Sequence, residues 1–207
     1  WSFIAGFIAD NDLAVEVYAV QGWSKASNQL QINDDLYDTE SKTWLVVNNN
    51  TGAVGPPSSW KLFKKFSEKV AISEDKKSGL VSVSIEHYSP QVASRWLHLY
   101  VDAVNRYMQN RQMVKVTTNI EYLEEQIRKT SIAEMREVFY TIVEEQTKNK
   151  MLAEASPEYA FVPVSPSMVP EIKSQPKRAR ICILGTLLGG MLSILAVFVM
   201  HYARKSV

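Results

Sequence analysis

Disulfides play no part in this chain of 207 residues, because it holds a single cysteine, Cys182. Histidine is nearly as scarce: His87, His98 and His201 are the only three. A catalytic metal ordinarily draws three protein ligands from one neighbourhood. His98 and Asp102 are spaced to share one helical face, but the sequence offers them no third partner. No glycine-rich phosphate loop occurs. Acidic residues are absent after Glu171, whereas residues 1–172 carry 22 Asp and Glu against 17 Lys and Arg. The net charge of +1 therefore sums a mildly acidic domain and a basic tail. A nucleic-acid binder would show a basic face on its folded part, and none stands out.

Charge is also missing from Ile181 to Met200, twenty residues flanked by Lys177, Arg178 and Arg180 before and Arg204 and Lys205 after. As a helix this run would rise about 30 Å, the thickness of a bilayer's hydrocarbon core. It reads as a membrane span. Gly185 and Gly189 form a GxxxG pair that Gly190 and Ser193 extend, a small-residue face that lets helices approach closely in lipid. The basic residues are denser before the run than after it, which taken alone places the upstream domain in the cytoplasm. Trp1 rather than Met opens the chain, so it reads as a fragment, and the apolar stretch Trp1–Ala9 reads as a core helix.

Between these ends lie short helices and strands. Asn11-Asp12 is expected to cap a helix through Leu13, Val17 and Val20. Thr43–Val47 reads as a strand, and Gly55-Pro56-Pro57 as a turn before an amphipathic helix with Trp60, Phe63 and Phe66 apolar. Leu80–Tyr88 alternates as a half-buried strand and pairs with Lys69–Ser73. Ser89-Pro90 starts a helix, and neither Gly nor Pro recurs before Pro157. Thr130-Ser131 interrupts that stretch, with a capping box from Ser131 to Glu134. The spacing predicts helices over Pro90–Lys129 and Ile132–Ala155. Each carries one apolar stripe: Trp96, Tyr100, Val104, Tyr107, Ile120, Leu123 and Ile127 on the first, Met135, Val138, Phe139, Ile142 and Val143 on the second. A hairpin this thin buries little, which predicts oligomerisation. Tyr159–Val164 reads as a strand returning to the sheet, and prolines including Pro163, Pro166, Pro170 and Pro176 make an extended connector.

The stretch SQPKRARICILGTLLGGM resembles the proline-rich signature that leads into the second membrane helix of the bacterial O-antigen chain-length determinant (Wzz) family. The matching positions are Pro176, Lys177, Gly189, Gly190 and Met191 within it and Pro170 just upstream, with Gln175 a minor departure. IEHYSPQVASRWLHLYVDAVNRYM and IEYLEEQIRKTSIAEMREVFYTIVEEQTKNKMLAEASPEY resemble the family's long helical arm. The three stretches cover about two-fifths of the chain. The resemblance implies two membrane helices, a periplasmic domain with a tall arm, a ring-like homo-oligomer, and an influence on where a polysaccharide polymerase stops. It reverses the orientation suggested by the charges.

The expected fold is α+β: a small mixed-sheet base with a long protruding helical hairpin, then one C-terminal transmembrane helix, with another expected ahead of Trp1. The expected divisions are a periplasmic base over 1–88, an arm over 89–156, a returning strand and connector over 157–176, a transmembrane helix with basic flanks over 177–203, and a cytoplasmic tail over 204–207. No catalytic, cofactor or metal site is expected. Glu124-Glu125 and Glu144-Glu145 are adjacent pairs that point about 100° apart on a helix and cannot flank one bond. The sequon Asn49-Asn50-Thr51 is a bare three-residue match. The residues singled out are Gly185, Gly189, Gly190 and Met191 for membrane-helix packing, and Pro163, Pro166, Pro170, Pro176 and Lys177 for the connector. Expected partners are further copies of the chain, a polysaccharide polymerase in the inner membrane and the growing polysaccharide, with no nucleic acid. A membrane-tethered structural or sensor domain with a ligand-binding base is the alternative.

Overall fold

The computed structural model describes residues 1–47, 52–165, 168–169 and 178–205, with side chains of the last segment described over 182–197. The elements run α1 (Ser2–Asp10), α2 (Ala14–Tyr18), β1 (Val20–Ser24), β2 (Gln29–Ile32), β3 (Tyr37–Asp38), β4 (Thr43–Trp44), β5 (Val46–Val47), β6 (Val54–Gly55), α3 (Ser59–Ser67), β7 (Val70–Asp75), β8 (Leu80–Ile85), α4 (Pro90–Lys129), α5 (Ala133–Glu154) and α6 (Arg178–Lys205). Two compact units result, Trp1–Val169 and Pro170–Val207. The α+β class holds.

The mixed sheet does not form. The described strands pair as four separate antiparallel ladders, each between sequence neighbours. Closing such short loops costs little chain entropy, and helices rather than a continuous sheet supply the core. The expected strand Thr43–Val47 is accordingly broken at Leu45 into β4 and β5, which pair with different partners. β7 and β8 do pair, antiparallel from Val70↔Ile85 to Asp75↔Leu80, but the strand expected to reach Tyr88 ends at Ile85 and its partner runs on past Ser73 to Asp75. Asp75 builds their turn: its carboxylate accepts from the Lys77 N–H at 3.0 Å and the Ser78 hydroxyl at 2.7 Å. Gly79 closes the turn at φ +71°, a conformation that penalises a Cβ.

The core of the base is aromatic. Phe66 on α3 and Trp96 on α4 are wholly buried, packed with Phe7, Ile8, Leu13, Val17 and Tyr100. Phe66 sits at the centre, with ring centroids 5.4 Å from Phe7, 5.6 Å from Trp96 and 5.9 Å from Tyr100. The first turns of α4 thus belong to the packing of the base.

Several local expectations are corrected. Asn11 does not cap α2: its amide donates back to the Phe7 carbonyl at 2.8 Å, Leu13 takes the cap position, and Val20 opens a strand. The Ser131–Glu134 capping box is absent. α5 starts after Ile132 without a side-chain cap, because Thr130 and Ile132 are both extended and leave Ser131 one residue too early. Ser58 and Ser89 do cap α3 and α4, accepting from the N–H groups of Lys61 and Val92. No strand forms over Tyr159–Val164. The side-chain amide of Asn105 on α4 takes the backbone groups of Ala160 and Phe161 instead, and Pro163 brings no N–H to a ladder.

α6 is a helix of 28 residues. Among the described residues no helix is long and apolar enough to cross a membrane. The described side chains of α6, 182–197, correspond to roughly 24 Å of helix. Residues 48–51, with the sequon, lie outside the described residues, as do Pro166, Pro170, Pro176 and Lys177.

His87 fastens α4 to the base. Its Nδ1 accepts from the Ser89 N–H at 3.1 Å, and Nε2 lies 3.4 Å from the Glu16 carbonyl. These contacts fit a neutral ring protonated at Nε2. The ring packs 4.8 Å from Trp96. Glu16 also turns its carboxylate to α4, accepting from Arg95 and, at 2.8 Å, from the Trp96 indole. Burial, and then nearby Lys69, lower the pKa of His87 from 6.5 to about 4. The unfolded chain therefore takes up this proton first as pH falls. His87 is expected to impose no penalty well above pH 6.5, and one approaching about 3 kcal/mol as pH falls towards 4. Urea unfolding at about pH 7.5 and about pH 5 checks it: the wild type loses roughly 2 kcal/mol between them, and His87→Gln loses much less. Equal losses in both proteins would contradict the assignment.

Candidate functional site: the helical arm and its foot

α4 is 40 residues long, roughly 60 Å. It buries two faces in succession. Trp96 and Tyr100 face the base, whereas Asn105, Gln109 and Val116 turn the other way, to α5 and the chain that follows it. Nine residues separate Trp96 from Asn105, a net rotation of about 180° at 100° per residue. The single stripe read from the sequence is thus two half-stripes on opposite sides.

Asn105 is 4 % exposed and grips the returning chain. Its Oδ1 accepts from the N–H groups of Ala160 at 3.0 Å and Phe161 at 2.8 Å, and its Nδ2 donates to the Phe161 carbonyl at 2.9 Å. The amide thus pairs with a peptide as a neighbouring strand would. One turn on, Gln109 Nε2 donates to the carbonyls of Ala153 at 2.8 Å and Ser156 at 3.1 Å, closing the C-terminus of α5. Neither amide belongs to a sequence motif. α4 also carries Gln91, Asn110, Gln112, Thr117, Thr118, Asn119 and Gln126, so nothing in the sequence marks Asn105 and Gln109 apart from them.

Beyond this foot the arm thins. Val116 is 1 % exposed, and no residue from 117 to 152 is buried. Ile120, Leu123 and Ile127 are half-buried, as are Phe139, Ile142 and Val143 on α5. Val114, Tyr122, Met135, Val138 and Tyr140 remain exposed. A depression of about 370 Å³ follows α5 past Arg136, Glu137, Tyr140 and Glu144, and a smaller one of about 170 Å³ lies between Tyr122, Leu123 and Ile142. Their linings present surface for contact and no nucleophile held by a base.

The other residues weighed in the sequence separate. His98 Nδ1 lies 2.9 Å from the Ser94 carbonyl on its own helix. No three potential metal ligands converge among the described residues. Glu125 pairs with Lys129 at 2.6 Å, and a hydrogen bond from that ammonium holds its carboxyl below the ordinary range. Among the described residues a Cβ on Gly185, Gly189 or Gly190 meets no atom within 4 Å. Met191 is exposed, and Pro163 lies in the irregular chain after Ser156.

Asn105→Ala is expected to cost about 2–3 kcal/mol, since two backbone donors lose their buried acceptor. Denaturant unfolding measures the loss. Hydrogen exchange at Ala160 and Phe161 should accelerate more than at Phe7 or Trp96, and unchanged exchange at the two donors would contradict the grip.

No protein-family model matches the chain, and no curated protein matches it.

Proposed function

We propose that the chain is a non-catalytic, membrane-anchored regulator of bacterial surface-polysaccharide length, acting as an oligomeric scaffold beside the polymerase. The observation that carries this reading is α4, one long helix rooted in an aromatic base and left uncovered towards its tip. Such an arm suits contact along its length with further copies of the chain. The resemblance of 85–108, 120–159 and 174–191 to the chain-length determinants supports the same reading. The uncharged run Ile181–Met200 between basic flanks supports attachment to the inner membrane. On this reading the base and arm occupy the periplasm and the oligomer biases where polymerisation stops. No chemical step is assigned to the chain, and no cofactor.

Membrane helices in such an assembly meet through small residues. Among the described residues a Cβ at Gly189 meets no atom within 4 Å, which suits a face kept for close approach of another helix.

Deleting the gene in the producing bacterium should abolish the preferred polysaccharide length on gels while polymer is still made. Unchanged banding would contradict the function. Restoring Gly189→Leu should shift the length distribution at normal expression, with Gly189→Ala mild and Leu195→Ala nearly silent. Wild-type banding from Gly189→Leu would reduce the helix to an anchor.

A further inference from the structure

α3 carries a second surface that the arm does not use. Leu62 and Phe66 face the core, and Phe66 is wholly buried. At 100° per residue the opposite arc runs from Phe63 through Trp60 to Lys64, Lys61 and Lys65. Trp60 is 58 % exposed, and its ring leans on Phe63 with centroids 5.3 Å apart. Lys64 and Lys65 are exposed and Lys61 half-exposed. Glu68 lies 3.8 Å from Lys65, while Lys61 and Lys64 enter no salt bridge among the described residues. An exposed apolar residue, Val54, precedes the helix.

An exposed indole beside several ammonium groups on a convex helix has the composition of an interfacial surface. Indole rings settle at the headgroup level of a bilayer, and lysines bind its anionic phosphates while their stems lie along apolar surface. A sugar chain would be better served by a concave site, which this helix does not form. The charge balance favours an oriented contact. Residues 1–172 carry a net charge of about −5 and are repelled by an anionic surface, so the lysines of α3 supply the attraction.

We propose that the outer arc of α3 docks on an anionic bilayer surface, with Trp60 and the edge of Phe63 at headgroup depth and Lys61, Lys64 and Lys65 on lipid phosphates. This rests on the membrane-anchored reading above. An embedded anchor keeps the base close to lipid and makes even a weak contact effectively intramolecular. The contact would restrain the base, and with it the direction of the arm.

The test uses the full chain and its own fluorescence. The five tryptophans, Trp1, Trp23, Trp44, Trp60 and Trp96, all precede residue 97, so emission reports on the base rather than on α6. The chain is reconstituted into vesicles of phosphatidylcholine, alone or mixed with phosphatidylglycerol, carrying brominated acyl chains that quench nearby indoles. Quenching is expected in the anionic vesicles, lost in Trp60→Phe, and at least halved in neutral vesicles and in Lys61→Gln/Lys64→Gln/Lys65→Gln. Flotation with the vesicles but no quenching, or quenching unchanged by Trp60→Phe, overturns the docking and leaves the anchor standing. Equal shielding of Trp60 from acrylamide in detergent and in vesicles assigns the surface to a second copy and also overturns it. Failure to float at all overturns docking and anchor together.

Discussion

The packing of Trp96 and Tyr100 against Phe66 is the contact on which the rest of the molecule depends. Phe66 comes from a helix of nine residues and Trp96 from one of forty, so a short element fixes the position of a very long one. Large aromatic side chains suit this joint because each buries much apolar area through few rotatable bonds. Glu16, Arg95 and His87 then fix the rotation of α4 about its axis, and Asn105 and Gln109 fix where the chain comes back. Removing the aromatic joint would leave both polar sets with nothing to orient.

The polar groups at the joint and the foot stabilise different things. At the joint, Glu16 accepts from Trp96 where the indole N–H would otherwise be buried without a partner. At the foot, Asn105 satisfies a peptide that belongs to no sheet. Each offsets a desolvation cost more than it adds binding strength. The surface ion pair of Glu125 with Lys129 has no such role, because both groups are about half exposed and water competes for them.

Much of this architecture was legible because its signals are local. Ser89 and Pro90 mark the start of α4, and the long interval without glycine or proline marks its length. The alternation of Val83 and Ile85 marks β8. What escaped depends on tertiary context. The change of buried face along α4 is lost when apolar positions are joined by threes and fours, because at 100° per residue such a row drifts until Trp96 and Val116 stand on opposite sides. Tyr159–Val164 has the composition of a strand, yet Asn105 takes its hydrogen bonds from 55 residues away. Ser131 and Glu134 have the spacing of a capping box, but the chain stays extended one residue longer. Of the residues singled out for function, Gly185, Gly189, Gly190 and Met191 lie on exposed helix in a single copy. Contact with a second molecule would give that face an energetic role.

The central physical claim is that the arm is held at its foot and uncovered beyond it. Amide hydrogen exchange along α4 and α5 tests this directly in full-length chain held monomeric by dilution in mild detergent. The account predicts slow exchange from Ala93 to Val116, close to the limit set by global unfolding. From residue 117 to 150 exchange should be at least about tenfold faster, through local opening of the thin hairpin. Uniformly slow exchange along both helices of the monomer would contradict it.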